Sequence, residues 1–64
     1  MRALNLNPNL EAPDEFYARL LAEHEGLSDD ESMALNARLI LILANEIGSL
    51  QILKEALNAA KLRP

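Results

Sequence analysis

The sequence predicts an all-α fold: a three-helix antiparallel bundle over about residues 13–25, 29–47 and 50–61, with an extended N-terminal arm and turn over residues 1–12. Three observations carry this expectation. Apolar residues recur at spacings of three and four, the period of one helix face. Ser28-Asp29-Asp30-Glu31 has the spacing of a capping box, in which the Ser side chain takes the N3 amide and the Glu side chain reaches back to the N-cap amide. The two glycines, Gly26 and Gly48, stand where the periodicity pauses, and a glycine past a helix end supplies the left-handed residue that stops it.

The arm comes first. Leu4, Leu6 and Leu10 alternate with Asn5, Asn7 and Asn9, yet Asn is a poor strand former, Pro8 removes a ladder donor, and the chain has no second strand to pair with. The leucines therefore lie on the chain's own helices, pair with the arm of another protomer, or add to a partner's sheet edge. Asn7-Pro8-Asn9 reads as the turn that redirects the arm into the first helix.

Pro13 opens that helix at no cost, because its missing N–H would be an orphan donor there, and Asp14 and Glu15 suit the positive end of the dipole. Phe16, Tyr17, Leu20, Leu21 and His24 form its stripe before Gly26 and Leu27 end it. The second helix runs from Asp29 to Ile47. Met33, Asn36, Ala37, Ile40, Leu43, Ala44 and Ile47 share the face expected to meet the core. Leu35, Leu39 and Ile42 make a second apolar stripe, and a helix apolar on more than one side is either surrounded or shared. That stripe is expected to bind a partner, with Leu4 and Leu6 of the arm beside it. Ser49 caps the third helix, whose expected core face is Leu50, Leu53, Ala56, Leu57 and Ala60. Past Arg63 the chain offers only a frayed end.

Sixty-four residues make one small domain, of a size that buries only about 60% of the surface its unfolded chain exposes. Such domains add disulfides, a metal, self-association or very regular packing. This chain has no Cys and one His, His24, which leaves packing and a homo-oligomer, a dimer, or another protein partner. Lack of Cys fits a reducing cytoplasm. Arg2 is not followed by an apolar leader segment, and the longest apolar run, Leu39 to Ala44, is too short to span a bilayer; a soluble protein with no membrane role is expected. Residues 1–32 hold eight acids against Arg2 and Arg19, a local net charge of −6, which disfavours nucleic acid, since phosphate binding needs a basic face.

No pattern for catalysis, cofactor or metal is found. There is no Gly-rich phosphate loop, no H-E-x-x-H and no G-x-S-x-G. Neighbours one residue apart on a helix do not face each other, so Glu23 and Glu25 do not make a base of His24, which is read as bonding the last carbonyls of its helix. Asp29-Asp30-Glu31 is explained by capping, while a hard-cation loop needs spaced oxygen ligands and a Gly turn. Asn36, on the expected core face, and Asn45 read as residues that fix register; with Tyr17 and His24 they are the polar side chains available to a ligand. Ala44 and Gly48 before another helix superficially match a helix-turn-helix, but Lys54 falls where that motif needs a buried apolar residue.

Three pieces carry a resemblance: P-N-L-x-x-P-D-x-F-Y from Pro8 to Tyr17, H-x-G-L-S from His24 to Ser28, and N-A-R-L-x-L-x-L-A-N-x-I-G from Asn36 to Gly48. With these the chain resembles, over nearly its whole length, a family of small bacterial proteins classed as a domain of unknown function. The resemblance implies a cytoplasmic accessory role near flavoprotein hydroxylases of aromatic-compound breakdown, beside whose genes such members often lie, and it implies no known catalytic residues. Where the family often has His before the Ile-Gly pair, this chain has Glu46. The functional expectation is a non-catalytic, self-associating interaction domain. A small-molecule-binding enzyme subunit is the alternative, and a DNA-binding regulator the least favoured.

Overall fold

The computed structural model describes residues 3–61 and contains three helices, α1 (Pro13–Glu23), α2 (Asp29–Ile47) and α3 (Leu50–Ala60). The fold class is the one the sequence predicts. Arg2 and the segment past Lys61, including Arg63, lie outside the described residues. Residues 3–12 contain neither helix nor strand.

The boundaries follow from local chemistry. Ser28 accepts from the Glu31 amide at 3.2 Å while the Ser28 amide donates to Glu31 Oε1 at 2.9 Å, so the capping box opens α2 as predicted. Gly48, at φ 78°, closes it, its N–H donating to the Ala44 carbonyl at 2.9 Å. Ser49 then caps α3 by accepting from the Ile52 amide at 3.2 Å. Two residues thus make the whole corner between α2 and α3. Gly26, at φ 79°, reverses the chain after α1, which stops at Glu23, two residues short of the predicted limit, because His24 and Glu25 pass into the turn. The start of α1 is less well made. Ala12 is its N-cap at φ 48° with no capping side chain, a left-handed conformation that crowds a Cβ against the backbone.

Packing is open. The backbones of α2 and α3 come within 8 Å of each other, whereas no α1 residue comes that near to either. Ile52, at 3% exposure, is buried, with Leu53, Ala56, Ala44 and Ile47 half-buried. This corrects both expected core faces. On α2, Met33, Ile40 and Leu43 stand exposed; on α3, Leu50 and Leu57 do, and Ile52, outside the predicted stripe, takes the interior. Periodicity tells which residues share a face. It does not tell which of several apolar faces a neighbour will cover, and α2 is apolar on nearly every side.

The dimensions say the same. The radius of gyration is 13.7 Å, where a compact chain of this length has about 11 Å.

Candidate interaction surface

Besides the α2–α3 corner, three places bring the elements together, and they define what is left uncovered. At the α1–α2 turn, His24 Nδ1 lies 2.9 Å from Ser32 Oγ and Nε2 lies 3.2 Å from Asn36 Oδ1. The carboxamide oxygen only accepts, so Nε2 donates to it, and in the neutral imidazole Nδ1 accepts a hydrogen bond from the Ser32 hydroxyl. Ser32 and Asn36 are one turn apart on α2, which is why one imidazole reaches both. The sequence suggested that the His24 side chain bonds the last carbonyls of its own helix, but only the His24 backbone amide does so, to Leu21 at 3.1 Å, and the imidazole does not. It ties the end of α1 to the first turns of α2.

Further along the same two helices, Phe16, Leu20, Leu35, Leu39 and Ile42 line an open apolar groove, with Arg19, Glu23 and Arg38 at its edges. Arg19 Nε donates to Glu23 Oε2 at 2.6 Å, an exposed pair of the kind that adds little stability. Leu35 and Leu39 are half-buried there and Ile42 is exposed. The stripe expected to serve a partner thus faces α1 across a gap that α1 only partly closes.

The third junction fixes the arm. The Leu4 amide donates to Glu55 Oε1 at 3.4 Å, and Gln51 Nε2 donates to Glu55 Oε2 at 3.1 Å. Leu4 is half-buried against α3, while Leu6 and Leu10 are exposed. Of the ways the arm might be used, packing on the chain's own helices is realised at Leu4 alone. Asn7 donates its amide to Asn5 Oδ1 at 2.9 Å, which bends the arm.

Of the polar residues noted for a ligand, His24 and Asn36 are brought together and bonded to each other. Tyr17 and Asn45 are exposed and apart from them. Among the described residues no group of three or more His, Asp or Glu side chains is placed to hold a metal ion, and Glu31 is occupied by its cap. That contact also holds its carboxyl below the usual carboxylate range, through the Ser28 backbone amide first and the Ser28 side chain second. No described helix is long and apolar enough to cross a membrane.

What remains is apolar and uncovered. Among the described residues thirteen large hydrophobic side chains are exposed, and the surface they give is centred on α2, where Met33, Ile40, Leu41, Ile42 and Leu43 all stand open. Sequence reasoning assigned three of these to a core. For Ile40 and Leu43 the signal that would have found them is the unbroken run Leu39 to Ala44, which no pair of short helices can cover on every side.

No curated protein matches this chain, and no solved structure does. A family model does match, over residues 4–62, and its description is "Protein of unknown function (DUF2783)". The arm from Leu4 onward, the capping box, the glycine corner and the apolar run of α2 fall inside that match, and the chain belongs to the DUF2783 family.

Proposed function

We propose that this chain is a small helical interaction domain that acts through protein–protein contact and carries out no chemistry itself. The observation that supports this reading is the contrast between Ile52, the one large side chain buried among the described residues, and the broad apolar surface of α2. Monomeric soluble proteins rarely leave contiguous apolar patches of more than a few hundred Å² open, and larger ones mark sites of association. Self-association is the form of contact favoured here. A cytoplasmic accessory role beside aromatic-compound hydroxylation enzymes is the setting that the sequence resemblance suggests.

Native mass spectrometry of the chain isolated from its own cells tests the reading. An assembly is expected. A 7.1 kDa monomer that unfolds cooperatively at every concentration would overturn it.

A second reading, a small-molecule-binding subunit, draws on the groove between α1 and α2. Its lining is apolar with Arg38 and Arg19 at the rim, which suits an apolar acid better than a neutral polar ligand. It is the weaker reading because the groove is open and His24 and Asn36 are spent on each other.

A further inference from the structure

The apolar surface of α2 has an internal order that points to its occupant. Met33, Ala37, Ile40, Ala44 and Ile47 follow one another at spacings of four, three, four and three, the alternation of a helix–helix seam. Ala44 and Ile47, where α3 turns back, are half-buried. Ahead of them Met33 and Ile40 are 69% and 64% exposed, and Ala37 is exposed between them. Small Ala between larger residues lets a second helix approach closely.

Area says how large the missing cover is. The chain exposes 6014 Å², whereas a folded monomer of its mass exposes about 4,100 Å². Each chain therefore carries roughly 1,900 Å² more than a compact monomer of its size. Obligate homodimers bury roughly 1,000–2,500 Å² per partner. That excess belongs to the whole chain, arm and α1 included, and the open face of α2 is the part of it that a second chain with the same face covers.

Charge sets the direction. Between Ser32 and Asn45 the only charge is Arg38, while Asp29, Asp30 and Glu31 crowd the start of α2. A parallel pair would place two such acidic ends together, and like charges at close range repel. An antiparallel pair sets the two acidic ends apart, and the other end of α2 carries only Glu46. The seam is also symmetric about Ile40, with Met33 and Ile47 equally distant from it.

We infer that α2 pairs antiparallel with α2 of a second copy about a twofold axis at Ile40, so that Met33 and Ala37 of each chain meet the part of Ile47 and Ala44 of the other that α3 leaves open. This rests on the interaction reading above and names its partner. The contact is isologous, so it closes as a dimer.

The chain has no Cys, so single cysteines report the geometry under mild oxidation. Ile40→Cys is expected to form a disulfide-linked dimer, because the two side chains meet at the axis. Met33→Cys is expected not to link to itself, and to link to Ile47→Cys when the two variants are mixed. Self-linking at residue 33 would overturn the antiparallel order. Linking through Ile42→Cys and not through Ile40→Cys would overturn the choice of face, in favour of the stripe Leu35, Leu39 and Ile42. Ile40→Glu is expected to weaken dimerisation by at least about 30-fold, the loss that defines an interface hot spot, and Ile40→Leu to retain it. A recombinant chain that sediments as a monomer, while the chain from its own cells runs in an assembly, would overturn the second copy as partner and leave the interaction reading standing. A monomer from both sources would end both.

Discussion

Single residues decide where the helices begin and end, and most of these were legible. Ser28 and Glu31 are recognisable because a capping box is a local device: both hydrogen bonds lie within four residues, and nothing distant is needed to make them. Ser28→Ala is expected to cost about 1 kcal/mol in urea unfolding. The cap also gives a pH dependence. The folded pKa of Glu31 is the lower one, so its contribution is complete above the ordinary Glu range and is lost as pH falls through the folded value. Glu31→Gln should flatten that acid limb in a circular dichroism titration. Gly48 was legible for the same local reason, and Gly48→Ala should destabilise by about 1 kcal/mol through its positive φ, since an added Cβ meets nothing nearer than 3.9 Å. Ala12 was not legible. Its φ of 48° is imposed by how the arm enters α1, a tertiary constraint that an Ala-Pro pair does not announce. Ala12→Gly should therefore stabilise the chain by up to about 1 kcal/mol in the same urea titration.

For whole elements, the existence and length of α2 and α3 were readable, and their orientation was not. A stripe of residues at helical spacing is a statement about one helix. Which stripe turns inward depends on where the next helix lies, and the sharp corner at Gly48-Ser49 swings α3 so that Ile52, not Leu50 or Leu57, points in. Ile52→Ala is expected to cost about 2–5 kcal/mol, the range for truncating a buried Ile, and with so little else buried the Ile52→Ala chain should show no cooperative thermal transition. Glu55 lies outside the core face expected of α3, yet it holds the arm through Leu4 while bonding Gln51. His24 behaves likewise. Its partners Ser32 and Asn36 lie eight and twelve residues away, beyond what neighbour rules reach. Because the α1 backbone approaches neither other helix closely, the imidazole tie matters more to α1 than to the rest. In His24→Ala, amide hydrogen exchange should speed up across α1 well before it changes in the centre of α2. Equal acceleration in both helices would contradict that.

The whole molecule explains why an apolar run survives in so small a chain. Sixty-four residues cannot wrap a nineteen-residue helix that is apolar on more than one side, and the sequence makes that mismatch legible. It did not state which face stayed open, because that is a property of three helices together. The structure leaves Met33 and Ile40 uncovered and places Leu35 and Leu39 toward α1. If pairing supplies the missing core, stability and association are one process, and the thermal midpoint must rise with chain concentration. Sedimentation equilibrium of the unmodified chain tests this most directly. Over roughly 1 to 100 μM, where a micromolar or tighter dimer is populated, the account predicts twice the 7.1 kDa chain mass, with dissociation on dilution. A single 7.1 kDa species across that range, folded and indifferent to Ile40→Glu, would contradict it.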